Sequence, residues 1–345
     1  MTMSRRCPFH GAILALFACE HAFASIASQH VLRPAGPQAE SIADLWNLTL
    51  AICTFVLTAV VAVTLIAVAR RRRAESTTPP DVASLDRSEA RARAIVTGAV
   101  GVTVVLLAVL LVASVLTDRA LARMPLQDGL HIEVTGKQWW WDVRYDDPDP
   151  SRVFSTANEI HVPVGRPVVL TLKSPDVIHS FWVPSLHGKK DLIPGQTVTF
   201  TLRADVAGVY RGQCAEFCGY QHARMGLLVI ADPPETFASW AEAQRQPAAA
   251  PVDEQARRGH DVFMTTTCAM CHAIAGTTAG GRAGPDLTHV ASRTTLAALT
   301  LPNTAGHLAA WIDDPQAFKP GTNMPAHALD GQDRNALVAY LGTLR

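Results

Sequence analysis

The sequence predicts a multidomain chain with a two-helix transmembrane hairpin, an all-β sandwich or barrel, and an all-α domain. Three observations predict this fold class. Two long uncharged stretches come first, short β-branched segments separated by turn residues follow, and helical segments surround a C-x-x-C-H motif near the end. A length of 345 residues allows two or more domains. Because Lys plus Arg and Asp plus Glu both number 30, the net charge indicates no nucleic-acid partner, and we expect none.

The predicted hairpin covers residues 35–118, with spans at about 45–69 and 94–117. Each span is longer than the roughly 20 apolar residues that cross a hydrocarbon core of ~30 Å. Buried core helices are the alternative, but uncharged runs of this length favour membrane spans. The segment between the spans carries the arginines that indicate a cytoplasmic loop, namely Arg70, Arg71, Arg72, Arg73, Arg87, Arg91 and Arg93. We therefore expect everything after about residue 118 to lie outside the cytoplasm.

Residues 1–24 are typical of a signal peptide, with Arg5 and Arg6 before a short apolar run. Two processing sites compete. LFAC before Cys19 is similar to a lipoprotein signal, and AFA ending at Ala24 fits ordinary cleavage. The sequence leaves this choice open.

Residues 125–232 form the predicted β domain, whose candidate strands have the spacing of a sandwich or barrel: LHIEVTG, EIHVPVG, PVVLTLKS, TVTFTLRAD, GVYRGQ and GLLVIAD. Residues 233–253 are rich in Ala, Pro and Gln, which predicts a short helix or a linker. Residues 254–345 form the predicted α domain, with no convincing strand and with four helical segments: EQARRGHDVF, TLAALT, AGHLAAWIDDP and DRNALVAYLGTLR.

The α domain contains the C-x-x-C-H motif, formed by Cys268, Cys271 and His272. This motif is typical of covalent c-type haem attachment, in which both thiols bond the haem and the histidine coordinates its iron. A redox dithiol is the alternative. Met324 stands further along in GTNMPAH, and a thioether on a proline-bounded loop suits the second axial position.

With these motifs, the α domain resembles class I cytochromes c. The resemblance implies that His272 and Met324 are the axial ligands and that the carbonyl of Pro285, in GPDL, orients His272. Three further residues match the packed terminal helices of that family: Gly259, Phe263 and Tyr340. The remaining candidates are assigned to packing or to the surface: Met270, His289, His307 and His327.

A second cluster of possible metal ligands lies in QCAEFCGYQHARM, residues 213–225, and consists of Cys214, Cys218, His222 and Met225. Spacings of four, four and three would align them on one helical face. However, strand-like segments flank the stretch, which favours a long functional loop. A disulfide between the two cysteines would close a very small loop and stabilise the fold little.

Two metal hypotheses remain for this loop. Zinc could bind both cysteines and His222, with His179 from another loop as the fourth ligand. Zinc has no use for Met225, whereas a thioether is a soft ligand that suits copper. With two thiolates present, two sulfurs could bridge two copper ions, each completed by one histidine. The motif by itself favours binuclear copper over zinc.

Two stretches of the β domain, PDVIHSFWVPSLHGKKDLIPGQ and YRGQCAEFCGYQHARMGLLV, resemble subunit II of haem-copper cytochrome c oxidase, and GKQWWWDVRY fits the same pattern. The resemblance implies a cupredoxin-like β domain with a binuclear copper centre (CuA). It implies His179 and His222 as terminal ligands, Cys214 and Cys218 as bridging thiolates, and Met225 as thioether ligand. It also implies that Glu216 binds copper through its backbone carbonyl and that its side chain binds magnesium at the interface with subunit I.

The resemblance further implies that electrons enter at Trp139, for which a membrane-belt or core aromatic is the alternative. Trp140 and Trp141 are assigned to packing, and three histidines match no ligand position: His131, His161 and His187. Glu89, before the second span, is either a solvated charge or a residue near a proton entrance of subunit I.

The function implied is that of the electron-input subunit of a proton-pumping terminal oxidase, which relays electrons from cytochrome c through haem c and CuA to subunit I for O₂ reduction. The implied partners are subunit I, other oxidase subunits, a soluble or membrane cytochrome c, and the lipid bilayer. The implied location is the bacterial inner membrane, with both cofactor domains on the periplasmic side. The alternatives are the copper subunit of a nitric-oxide-reducing relative and a free-standing membrane-anchored electron carrier.

Overall fold

The computed structural model describes residues 29–70, 82, 89–122 and 129–345. The predicted signal peptide, residues 1–24, lies outside the described residues. So do four arginines of the predicted cytoplasmic loop: Arg71, Arg72, Arg73 and Arg87.

Two long helices lie in the first part of the chain, α1 (Pro37–Arg70) and α2 (Ala90–Ala122). Their most apolar windows have mean hydropathies of 2.7 and 2.9, and none of that surface is buried within the protein. With a rise of 1.5 Å per residue, each helix is ~50 Å long and exceeds a hydrocarbon core of ~30 Å. By length and composition both helices can cross a membrane, and they contain the two predicted spans.

The start of α1 is attached to the β domain. Gln38 is fully buried, and its side-chain amide donates to the carbonyl of Thr201 at 3.1 Å. Next to it, the N–H of Ala35 donates to the carbonyl of Ser185 at 2.7 Å. These contacts fix the first helix to the domain that follows the hairpin.

The β domain contains ten strands: β1 (Leu130–Lys137), β2 (Trp140–Asp146), β3 (Phe154–Ala157), β4 (Glu159–Pro163), β5 (Val168–Lys173), β6 (His179–Trp182), β7 (Lys190–Leu192), β8 (Val198–Leu202), β9 (Gly208–Cys214) and β10 (Gly226–Asp232). They form two five-stranded sheets, ordered β3-β2-β1-β5-β8 and β4-β10-β9-β6-β7. Side chains from both sheets share one hydrophobic core, as in a sandwich.

All six predicted strands are present, and four others were not predicted. Strand β2 buries Trp141, Val143 and Tyr145 on alternate positions, a period of two that the aromatic run conceals. Strand β3 has four residues, and β6 and β7 have four and three. Segments this short carry too little periodic signal to be recognised.

Residues 233–253, predicted as a helix or linker, contain helix α3 (Pro234–Arg245). The C-terminal domain then contains α4 (Glu254–Thr265), α5 (Cys268–Cys271), α6 (Ala305–Asp313), α7 (Pro315–Phe318) and α8 (Gly331–Thr343). Helices α4 and α8 pack closely at Gly259, where a Cβ atom would lie 1.9 Å from the carbonyl oxygen of Ala336. Next to this contact the rings of Phe263 and Tyr340 lie 6.2 Å apart. The close approach explains why glycine is needed at 259.

The predicted helix at residues 295–300 is wrong. Strand β11 (Thr295–Leu296) pairs there with β12 (Leu301–Pro302), so the α domain contains one short hairpin. Three of the four connecting residues, Ala297, Ala298 and Leu299, have φ angles of 53°, 56° and 66°. The carbonyl of Ala298 accepts a hydrogen bond from the N–H of Gly226 in the β domain. This tertiary contact overrides the helical propensity of TLAALT.

His187 makes the stability of the β domain dependent on pH. Its ring is 5% exposed, and burial lowers its pKa from 6.5 to about 4. Between these values the unfolded chain binds a proton that the folded protein does not, so stability falls as the pH falls from 6.5 to about 4. We expect His187→Phe to remove up to about 3 kcal/mol of this acid-induced loss. Thermal unfolding measured across this pH range, with the exposed His131→Phe as control, tests the effect. An identical pH dependence in both variants would contradict it.

Candidate copper site and haem pocket

Strand pairing brings the first two candidate copper ligands together. Strands β6 and β9 are neighbours, with Phe181 opposite Cys214, so His179 at the start of β6 faces the end of β9. The Cys214 Sγ lies 3.8 Å from the His179 Nδ1, and both side chains are buried. The ligand atoms of His179, Cys214 and Cys218 all lie within 4.8 Å of one another, a spacing that allows metal binding.

The loop between β9 and β10 supplies the other candidate ligands. The Cys218 Sγ lies 3.6 Å from the His222 Nδ1 and 3.8 Å from the Met225 Sδ. His222 begins a 3₁₀ turn (His222–Arg224), and Met225 directly follows this turn and is fully buried. Gly219 has a φ of 110°, a conformation that favours glycine and lets the loop reverse after Cys218.

The structure decides between several hypotheses for this loop. It contains no α-helix, so the alignment of the four ligands on a helical face is wrong. Cys214 and Cys218 are not joined by a disulfide, and both are buried. The Met225 thioether belongs to the same cluster as the thiols, and a set of two thiolates, imidazoles and a thioether suits copper better than zinc.

The protonation of the cluster also favours a metal site. The hydrogen bond between the two thiols, with further donors from His179 and the Ser180 backbone, lowers the pKa of Cys214 despite its burial. The same pairing and burial raise the pKa of Cys218, because a second thiolate beside the first is unfavourable. A bound cation removes this repulsion and allows both sulfurs to ionise.

Asp176 is a site residue that was not predicted. Its Oδ1 lies 2.8 Å from the His179 Nε2, so it orients the ring whose Nδ1 faces the thiols. Burial opposes its ionisation, but bonds from His179, Val177 and Gln138 outweigh burial and lower the pKa of Asp176 to about 2. For His179, burial by itself would lower the pKa, because it disfavours the charged ring. The hydrogen bonds to Asp176 and Cys214 outweigh burial, so the pKa of His179 is raised. The only sequence signal for this role is an acidic residue three positions before the histidine.

Glu216 lies in the loop between β9 and β10, residues 215–225, called the copper loop below, and contacts Cys214 through its backbone. Its carbonyl oxygen accepts a hydrogen bond of 3.2 Å from the Cys214 thiol. Its carboxylate instead points toward the Lys189 ammonium, 3.8 Å away, where both side chains are partly exposed. The Glu216 carbonyl therefore faces the candidate metal ligands, while its carboxylate is available for a separate contact at the surface.

A cavity of about 410 Å³ lies in the helical domain and is lined by all four residues predicted to hold a haem: Cys268, Cys271, His272 and Met324. The His272 Nδ1 donates to the Pro285 carbonyl at 2.7 Å, which leaves Nε2 free for a metal. Burial lowers the pKa of His272, which favours the neutral imidazole that binds iron. His327, which was assigned to packing or to the surface, also lines this cavity.

Two further features of the cavity fit a haem. A Cβ atom on Gly284 would lie 2.5 Å from the His272 ring, so glycine is needed for the ring to keep its position. The Nε of Arg293, which also lines the cavity, is buried and has no hydrogen-bond partner among the described residues. An unpaired guanidinium nitrogen suits one of the two carboxylates that a haem carries.

Trp139 lies between the haem cavity and the copper loop. Its side chain is 7% exposed and lines the cavity. Its indole N–H donates to the carbonyl of Cys218 at 2.9 Å. Trp140, assigned to packing, also lines the cavity, whereas Trp141 is fully buried in the β domain with its ring 6.2 Å from that of His179. Trp139 therefore contacts both candidate sites.

Comparison with known proteins gives matches to both domains. Residues 147–231 match the family "Cytochrome C oxidase subunit II, periplasmic domain", and residues 256–345 match "Cytochrome c". The chain is 35% identical over 320 residues to cytochrome c oxidase subunit 2 of Alkalihalophilus pseudofirmus, covering 91% of this chain and 90% of that protein. It is 31% identical over 230 residues to the Bacillus subtilis subunit 2, covering 64% and 63%.

Solved structures are also similar to part of the chain. The periplasmic domain of subunit II of cytochrome oxidase from Bradyrhizobium japonicum is 34% identical, with a TM-score of 0.33. The match covers 35% of this chain and 96% of that domain.

Proposed function

Because the chain belongs to the cytochrome c oxidase subunit II family, we propose that it is the electron-input subunit of a proton-pumping terminal oxidase. The two matched families imply copper in the β domain and haem in the helical domain. In the proposed relay, electrons pass from a cytochrome c to a c-type haem, then to a binuclear copper centre (CuA), and on to subunit I, where O₂ is reduced. Trp139, in contact with both sites, is the observation that carries this proposal.

In the β domain, the proposed copper ligands are His179 and His222 through Nδ1, the bridging thiolates Cys214 and Cys218, the Met225 thioether and the Glu216 carbonyl. The mutual distances of 3.2 to 3.8 Å among these groups support the assignment. Bound copper supplies one-electron redox chemistry. The side chains of His179, Cys214, Cys218 and Met225 are buried and in mutual contact, so little rearrangement has to accompany electron transfer.

In the helical domain, Cys268 and Cys271 are the proposed covalent attachment points, and His272 and Met324 the proposed axial ligands. Haem supplies one-electron chemistry at a potential that His/Met ligation raises. Pro285 fixes the His272 ring through the 2.7 Å hydrogen bond, and Arg293 offers its unpaired Nε to a haem carboxylate. With both axial positions filled by protein, the iron would be a relay rather than a substrate-binding centre.

We propose that the two membrane-type helices anchor the chain in the bacterial inner membrane. Both cofactor domains then lie on the periplasmic side. Helices α1 and α2 contact the lipid bilayer. The copper loop presents two exposed aromatic residues next to Cys218, Phe217 at 75% and Tyr220 at 91% exposure, which suit a partner surface on subunit I. The Glu216 carboxylate is a proposed magnesium ligand at that same contact.

Oxygen consumption tests this function against its alternatives. We expect the purified complex, supplied with reduced cytochrome c, to consume O₂ and to acidify the outer side of proteoliposomes. Omission of the donor is the control. Consumption of nitric oxide without O₂ uptake would identify the complex as a nitric-oxide-reducing relative. Purification of the chain without any partner subunit would favour a free-standing carrier.

A further inference from the structure

The helical domain contacts the copper loop directly, through the segment between α7 and Met324. The side-chain amide of Gln221 donates to the Pro320 carbonyl at 2.8 Å, and the Arg224 guanidinium donates to the Phe318 carbonyl. Gln221 precedes the candidate ligand His222, and Arg224 precedes Met225. The two residues that flank these ligands therefore hold the segment that leads to the candidate haem ligand.

Lys319 extends from this segment into the interface and is 2% exposed. Its ammonium donates to three carbonyls, those of Trp139 at 2.7 Å, Arg224 at 2.9 Å and Ala297 at 3.1 Å. The first two acceptors belong to the β domain and the third to the helical domain. Burial lowers the pKa of Lys319 to about 7. Three carbonyl acceptors match the three N–H groups of an ammonium, so these hydrogen bonds favour the charged form in an otherwise apolar interior.

Glu159 makes the reciprocal contact from the β domain and is 4% exposed. Its Oε1 accepts from the backbone N–H groups of Thr294 at 2.9 Å and Thr295 at 3.0 Å. The same oxygen accepts from both threonine hydroxyls, at 2.7 and 3.1 Å. One buried cation thus enters the β domain and one buried anion binds the helical domain.

We propose that Lys319 and Glu159 are positioning residues that fix the helical domain on the copper loop in a single orientation, with Trp139 between the haem cavity and that loop. This role rests on the proposed function, since it concerns transfer between the two centres of one chain. A docked domain also covers the Trp139 face, so an external donor would deliver its electrons to the helical domain rather than to the copper loop.

The physical reason is that buried charges select an orientation more than they add affinity. A well-paired buried charge contributes little net stability, but a buried charge that loses its partners costs several kcal/mol. Any rotation of the helical domain that stays in contact would separate Lys319 or Glu159 from its partners. Only one docking orientation satisfies both residues, and alternatives are excluded by the penalty they incur.

The contacts around Trp139 show what this orientation positions. Lys319 binds its carbonyl, and the Cys218 carbonyl binds its indole N–H. A Cβ atom on Gly219 of the copper loop would lie 3.2 Å from the indole, and one on Gly321 would lie 3.6 Å from it. The ring is therefore in contact with both domains, and displacement of the helical domain would break one of these contacts.

Hydrogen exchange on the full-length complex tests the docking with a readout that is independent of oxidase activity. In each variant, exchange is measured at amides whose hydrogen bonds across the interface do not involve the substituted residue. In Lys319→Met we expect the Thr294 and Thr295 amides to exchange about tenfold faster or more. In Glu159→Gln we expect the same of the Gly226 amide, which donates to Ala298 across the interface at 3.2 Å. Tenfold corresponds to about 1.4 kcal/mol in the docking equilibrium.

The second readout is the rate of electron transfer from haem to copper after rapid reduction of the haem. Because loss of either residue removes the penalty that excludes rotated orientations, the helical domain can move away from Trp139 while it stays docked. We therefore expect this rate to fall in both variants, while haem and copper spectra stay unchanged. The matched controls are Lys173→Met and Glu133→Gln, which break an ion pair of 2.5 Å within the β domain. Neither control should alter exchange at the interface or the transfer rate.

Unchanged exchange in both variants would overturn the docking role. Accelerated exchange with an unchanged transfer rate would overturn the positioning role. If one variant fails to fold, the other decides, since the two residues lie in different domains. A wild-type complex that does not consume O₂ contradicts the proposed function, whereas the exchange data still decide whether these residues dock the domain.

Discussion

Replacing Cys214 and Cys218 together with serine is expected to abolish copper binding while the helical domain keeps its covalently attached haem. Both thiols are buried within the cluster of candidate ligands, and no other cysteine of the β domain is available to replace them. Serine is a harder ligand that remains protonated at neutral pH, so neither position could bridge copper ions. Metal analysis of the purified complex should show the loss of the two copper ions that this chain is proposed to hold, while copper held by subunit I remains.

The matched control is Cys53→Ser, which changes an exposed cysteine in α1 and should leave the copper content unchanged. The same metal analysis separates copper from zinc. A copper content equal to that of the wild-type complex in the double variant would rule out bridging by these sulfurs. Stoichiometric zinc in the wild type would favour the zinc hypothesis instead.

Much of the fold could be predicted because its signals are local. The two spans follow from uncharged length, and strands such as β4 and β10 follow from β-branched residues bounded by turn residues. The segment at 295–300 was mispredicted because its conformation depends on the hydrogen bond between Ala298 and Gly226, two residues more than seventy positions apart in the chain. Local propensity cannot represent a contact of this kind.

The candidate ligands could be identified for a similar reason, since thiols, imidazoles and thioethers are rare and their chemistry is specific. Apart from Pro285, which the family resemblance implied, the residues that orient the ligands were not identifiable, because their chemistry is common. Asp176 is one of many aspartates until β6 brings His179 against it. Lys319 and Glu159 appear as ordinary surface charges in the sequence, but both are buried where the two domains meet.

Met324→Ala is expected to keep the covalent haem and to convert it from a low-spin to a high-spin species. The side chain lines the haem cavity, and its removal would leave the iron without a sixth protein ligand. The loop itself should persist, because the Gln316 side chain donates to the carbonyls of Thr322 at 2.8 Å and Met324 at 3.0 Å, contacts that alanine preserves. The expected changes are therefore at the iron and not in the fold.

Absorption and magnetic circular dichroism spectra of the oxidised protein measure the spin state, and a redox titration should show a lower potential, since thioether ligation raises it. Met270→Ala is the matched control, because that side chain is 74% exposed and next to Cys271, a proposed attachment point, yet absent from the cavity lining. An unchanged low-spin spectrum would show that Met324 is not the axial ligand. The residue to replace next would then be His327, the other cavity-lining side chain on the same segment with an atom that can bind iron.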